Sequence, residues 1–214
     1  MPKATGVRFW GAGTARTMRP LWIAEELGLA YELMPIGPRT GETQTAEFTG
    51  KTPKQKIPLL EDGDLTLSES VAIGRYLIGR YGTESTMRLP TTLAEQAKED
   101  EWICYIYGEI DETSLYVMRR HGDLKAIYGD APVVVESAKE YAQKHLNVVA
   151  DHMSDKDYVV RNRFSLADVV LVTCLDWAQA YRLELGASLV RYQQKMHERS
   201  AYGRAHSVNH KKSS

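Results

Sequence analysis

The sequence predicts two parts: an α/β half of order β-α-β followed by β-β-α, then an all-α half. Two observations carry this. Strand-length apolar runs bounded by turn residues occur only in the first eighty or so of the 214 residues. Beyond a polar stretch at 83–91 that contains Pro90, apolar residues recur at helical spacing behind capping signals. The predicted domains are therefore 1–82 and 92–205, with a linker at 83–91 and a frayed tail at 206–214.

In the first half, Val7–Trp10 reads as a strand that leaves into the Gly11-Ala12-Gly13 turn. Met18–Leu27 follows a helical period and stops at Gly28. Pro20 is tolerable there only within the first turn, because proline offers no N–H. Tyr31–Ile36 is a second strand, parallel to the first if a helix connects them. The polar segment Gly37–Gln55 reads as a loop with one irregular helical turn. Ile57–Leu60 and Leu65–Leu67 flank Glu61-Asp62-Gly63-Asp64, which makes a hairpin around an Asp-Gly turn. A helix then runs from Glu69 to Tyr81.

In the second half, Thr92 and Glu95 have capping-box spacing and open a long helix from Leu93 to His121. Asp130 and Pro132 open another that reaches Met153. Ser165 and Asp168 cap a third, which is apolar nearly all round and belongs at the centre of a bundle. Ser188–His197 is a last amphipathic helix.

Composition narrows the function classes. The net charge of −1 gives no support to nucleic-acid binding, which favours a basic stripe. No run approaches the roughly 20 apolar residues of a membrane helix, and the apolar stretch after Met1–Gly6 is too short for a signal peptide core. A cytoplasmic protein is the expectation. Cys104 and Cys174 form no C-x-x-C pair and read as packed thiols, and the six histidines have no metal spacing.

Four segments together carry a resemblance. They are Thr14–Glu32 with its Arg19 and Leu21-Trp22, Lys54–Gly63 with Ile57-Pro58, Leu67-Ser68-Glu69-Ser70 before an apolar helix, and Phe164–Asp168. In this order and at these spacings the chain resembles the glutathione transferase superfamily, bacterial-type. The resemblance implies a thioredoxin-like glutathione-binding domain, a helical C-terminal domain, glutathione as cosubstrate without a metal, and a homodimer.

It also implies a site. The glutathione thiol resembles a free cysteine, which titrates near 8.5, and the thiolate is the nucleophile. Lowering the pKa by about two units takes about 2.7 kcal/mol of preferential stabilisation, which a hydroxyl, N–H groups and a helix N-terminus can supply. Thr14 occupies the position that resembles the family's serine. Thr17 is the second choice, and Arg16 is a charged alternative; either threonine would equally serve as a helix cap. The absence of cysteine here argues against thiol-disulfide chemistry.

A cis Ile57-Pro58 bond would turn the Ile57 main chain toward the cysteinyl backbone of the tripeptide. Glu69 and Ser70 would take the γ-glutamyl end at a helix N-terminus. Lys56, with Lys54 or Gln55 behind it, would take the glycine carboxylate. An apolar electrophile would lie against Trp10, Tyr105, Tyr107 and Trp177, aromatics that serve as readily in a core. A glutathione-dependent lyase, isomerase or dehalogenase of this fold, and a non-catalytic binding protein, are the alternatives. The missing Ser-Ser-Cys run counts against a zeta-type isomerase.

Overall fold

The computed structural model describes residues 6–211. The reading of the first five residues, and of the tail beyond Lys211, lies outside them. The chain divides into two compact units: the described residues up to Leu89 together with those from His197 onward, and Pro90–Met196.

The first unit is a four-stranded mixed sheet with helices. Strands β1 (Val7–Trp10), β2 (Glu32–Met34), β3 (Leu59–Asp62) and β4 (Leu65–Ser68) lie in the order β2-β1-β3-β4. β1 and β2 are parallel, joined by helix α1 (Ala15–Glu26), and the β3–β4 hairpin is antiparallel. Gly63 sits in its turn at φ +58°, a conformation open to glycine at little cost. Phe9 and Leu60 face each other across β1 and β3 and are buried with Leu21, Trp22 and Ile23 of α1 and Ile73 and Leu77 of α3 (Ser70–Tyr81).

Several expectations are corrected here. Helix α1 begins at Ala15 rather than Met18, so Pro20 lies in its interior, with no N–H to give to the carbonyl of Arg16. The 37–55 segment holds more helix than one turn: a 3-10 turn at Glu42–Gln44 and helix α2 (Ala46–Lys51), capped by Thr45. The tail is not frayed at His206, because helix α9 (Ser200–Asn209) packs on α1. Arg199 grips Glu26 with bonds of 2.6 and 2.7 Å, Arg204 bonds Glu25 at 2.7 Å, and Tyr202 meets Trp22 edge to face at 5.0 Å. Residues 197–205, assigned by the sequence to the helical half, therefore belong with the sheet.

The second unit is helical. Helix α4 (Leu93–Tyr105) continues as wider π-type turns over Ile106–Tyr116 and Arg119–Asp123, where a single α-helix was expected. Then come α5 (Lys125–Tyr128), α6 (Pro132–His152), α7 (Leu166–Ala180) and α8 (Ala187–His197). Thr92 accepts the Glu95 N–H, but the Glu95 carboxylate reaches back to the N–H of Thr91, so the box is displaced by one residue. Asp130 pairs with Lys125 instead of capping α6, whose first residue is Pro132.

The Ser165–Asp168 box forms as expected. Asp168 Oδ2 accepts the Ser165 N–H at 2.8 Å and the Ser165 hydroxyl at 2.7 Å. Its Oδ1 accepts the Val159 N–H and the Tyr192 hydroxyl. Every α7 residue from Leu166 to Leu175 is buried, which fits its apolar circumference. Among the described residues no helix is long and apolar enough to cross a membrane.

Candidate functional site

The cross-strand register builds one end of the sheet. Trp10 pairs with Leu59, and Leu59 pairs with Ser68. The chain segments that leave β1, enter β3 and leave β4 therefore emerge side by side. These are Gly11–Thr14, Ile57-Pro58 and Glu69-Ser70, three segments that the sequence singled out.

Thr14 is the N-cap of α1, with extended backbone. Its Oγ1 accepts the Thr17 N–H at 3.0 Å. The residue is half-buried. Thr17 differs. It is fully buried, its Oγ1 accepts the Thr14 N–H at 3.0 Å, and its own proton lies between Asn209 Oδ1 at 2.7 Å and the Thr14 carbonyl at 2.9 Å. Thr14 and Thr17 thus form a reciprocal capping box, and the Thr17 hydroxyl is engaged within the fold. Arg16 stands half-buried at the second position of α1.

The Ile57-Pro58 peptide is cis. Gly11 at φ +112° lies directly against Ile57, and Gly11 donates its N–H to the Met34 carbonyl at 2.9 Å, tying the turn to β2. Among the described residues the Ile57 N–H and C=O have no main-chain partner.

Ser70 opens α3 and is buried, while Glu69 is its exposed N-cap at φ +74°. A side-chain-bearing residue held in such a sparsely populated region costs of order 1–3 kcal/mol, and such outliers gather at functional sites. Lys54 reaches this mouth: its ammonium lies 2.9 Å from Ser68 Oγ and 3.4 Å from Glu69 Oε1. Lys56 is exposed and stands outside that cluster.

Sequence reasoning missed two residues. Arg19 is fully buried and donates from Nη1 to Ser70 Oγ at 3.3 Å. Its signal was present, a cation inside a helix flanked by Met18, Pro20, Leu21 and Trp22. Asn209 had no signal, because it lies in a polar tail.

The aromatic residues are redistributed. Trp10 is a core side chain. It packs with Phe48 and Leu59, its Nε1 donates to Glu61 Oε2 at 2.6 Å, and the Lys51 ammonium lies over its ring at 5.1 Å. Burial raises the Glu61 pKa, yet the bonds from Lys51 and Trp10 and the charges of Lys51 and Arg8 bring it below the usual carboxylate range. Tyr105 is held within the bundle, with its hydroxyl 2.7 Å from His145 Nδ1 and its ring edge-on to Trp102. Tyr107 is half-buried, and Trp177 is half-buried beside Tyr181. Among the described residues no group of three or more His, Cys, Asp or Glu side chains suits a metal ion.

Comparison with known proteins agrees with this geometry. The glutathione S-transferase N-terminal domain matches residues 5–79, and the glutathione S-transferase C-terminal domain matches residues 102–199. The chain is 31% identical to glutathione S-transferase 3 of Zea mays over 157 residues, 71% of this chain and 68% of that protein. It is 31% identical to a probable glutathione S-transferase of Oryza sativa subsp. japonica over 170 residues, 77% of each.

Among solved structures, the glutathione transferase URE2P6 of Phanerochaete chrysosporium, in complex with oxidized glutathione, superimposes with a TM-score of 0.84. It is 21% identical and covers 98% of each chain. A theta class glutathione S-transferase of Xanthomonas axonopodis pv. citri, with glutathione bound, gives 0.79 at 23% identity, covering 94% of this chain and 97% of that one. With a thioredoxin-like sheet, a cis-proline edge and a helical C-terminal domain all in place, the chain belongs to the glutathione S-transferase family.

Proposed function

We propose that the protein binds glutathione at this sheet end and activates it as a thiolate for attack on a hydrophobic electrophile. The observation that carries the reading is the shared register of Trp10, Leu59 and Ser68, which delivers Thr14, Ile57 and Ser70 to one place. The N–H and C=O of Ile57, without a main-chain partner among the described residues, offer an antiparallel partner to the cysteinyl backbone. The first turn of α3, with the Ser70 hydroxyl and N–H groups, receives the γ-glutamyl carboxylate at the positive helix end. Glu69 accepts the α-ammonium, and exposed Lys56 pairs with the glycine carboxylate.

Thr14 then faces the sulfur. Its oxygen already accepts the Thr17 N–H, which polarises the hydroxyl, and its proton turns from Thr17 Oγ1 at 3.0 Å to the thiolate when the ligand binds. The N-terminus of α1 adds positive potential at the same point. These contacts favour the anion over the thiol, which is what lowers its pKa. The second substrate is an apolar electrophile. A cytoplasmic homodimer serving detoxification is the setting this activity implies.

The test is retention on glutathione resin followed by turnover with an aryl halide, read from the absorbance of its conjugate. Retention with conjugation, both lost on competition with S-alkyl glutathione, is the expected result. Retention without turnover across an electrophile panel would leave a binding protein and end the catalytic claim.

A further inference from the structure

The Thr14 loop is clamped from the far end of the chain. Asn209, the last residue of α9, is 1% exposed and makes four contacts to Gly13–Thr17. Its main-chain carbonyl accepts the Gly13 N–H at 2.8 Å, and its Oδ1 accepts the same N–H at 3.1 Å. Oδ1 also accepts the Thr17 hydroxyl at 2.7 Å, and Nδ2 donates to the Thr14 carbonyl at 3.1 Å. The amide orientation is determined by these partners: reversed, an NH2 group would face the Gly13 N–H and an oxygen would face a carbonyl.

A solvated surface asparagine would not be expected to satisfy three main-chain and side-chain groups of one turn. The effect on Thr14 follows from proton counting. Thr17 Oγ1 has one proton and stands 3.0 Å from Thr14 Oγ1. Where Asn209 Oδ1 takes that proton, Thr17 no longer donates to Thr14. The Thr14 oxygen keeps the inward bond from the Thr17 N–H, while its own proton can turn to Thr17 Oγ1 or outward to the sulfur. Nδ2 meanwhile holds the Thr14 carbonyl, which sets the backbone that aims the side chain.

We propose that Asn209 is a positioning residue, holding the Thr14 hydroxyl in the direction of the glutathione sulfur. The inference rests on the reading of Thr14 as the sulfur's donor. It makes α9 part of the catalytic apparatus without contact to the substrate. Because the Gly13–Asn209 main-chain bond and the Arg199–Glu26 and Arg204–Glu25 pairs survive a side-chain change, α9 stays docked in an Asn209 variant.

The experiment measures the pKa of enzyme-bound glutathione from thiolate absorbance, with kcat and KM, in the wild type, Thr14→Ala, Asn209→Ala and the double variant. Thr14→Ala is expected to return the bound thiol toward about 8.5. Asn209→Ala is expected to raise it part of the way, to lower kcat about tenfold, about 1.4 kcal/mol, and to leave KM for glutathione nearly unchanged. In the Thr14→Ala background Asn209→Ala should add nothing, since it acts through Thr14.

A merely structural role for Asn209 would lower the melting temperature without moving the thiol pKa. If Asn209→Ala melts too low to assay, Asn209→Leu, of similar shape, carries the same measurement. A wild-type thiol pKa in the Asn209 variant, or effects that add independently in the double variant, would overturn the inference. If Thr14→Ala itself leaves the thiol pKa unmoved, the donor assignment falls instead, which separates the two failures.

Discussion

A Cβ on Gly11 would stand 2.5 Å from the Ile57 Cβ and 2.9 Å from its Cγ2, at a backbone φ of +112°. The β1 turn and the cis-proline edge are therefore in contact because residue 11 has no side chain. Gly11→Ala must either push Ile57 away or move the turn. The left-handed backbone adds about 1–2 kcal/mol and the overlap more, so a total loss of about 2–4 kcal/mol is expected in urea unfolding. Because Ile57 shifts, glutathione affinity should fall about tenfold, measured by calorimetry. Unchanged affinity in the folded variant would mean that Ile57 does not hold the tripeptide.

Ser70→Ala probes the other end of the ligand. A hydrogen bond to a charged group contributes about 1.5–3 kcal/mol, so glutathione should bind roughly 10–100-fold more weakly. Cysteinylglycine, which lacks the γ-glutamyl group, should bind the variant and the wild type equally. An equal loss for both ligands would place the γ-glutamyl end elsewhere. Arg19 donates to Ser70 Oγ at 3.3 Å, and Arg19→Met should weaken binding in the same ligand-selective way.

Asp168 supplies a pH dependence. Burial pushes its carboxyl up to about 6, against the bonds from Ser165, Val159 and Tyr192 that favour ionisation. The unfolded value is near 3.9, so between those values the folded state binds the proton more tightly. The contribution of this group to stability is thus largest below about pH 4, falls as pH rises toward 6, and is level above. Two units correspond to about 3 kcal/mol. Urea unfolding from pH 4 to 7 should show the wild type losing about that much relative to Asp168→Asn, whose side chain does not titrate. A constant difference across the range would show that the carboxyl ionises as it does in the unfolded chain.

The element order was legible because its signals are local. The Ser165–Asp168 box spans three residues and concerns the N–H groups of a single helix end, so its chemistry is the same in any tertiary setting. The Asp62-Gly63 turn and the run into α3 are local in the same sense. The candidate glutathione-site residues were singled out only through resemblance, since a lone Ile-Pro or Glu-Ser pair has many uses. Where local signals competed, the nearest pattern misled. Pro20 suggested a helix starting later than it does, and a polar tail after His206 concealed a docked helix.

By itself the sequence determined the two-part order, the capping of α7 and the hairpin. Those depend on backbone propensities and on side chains a few residues apart. Tertiary structure alone decided that Trp10 belongs to the core, that Thr17 is enclosed, that Arg19 bonds Ser70, and that Asn209 bonds Thr14 across 195 residues. An aromatic ring or an amide can satisfy itself in many surroundings. Which one it occupies is set by the packing of distant helices and strands, where one buried N–H or hydroxyl must find its acceptor.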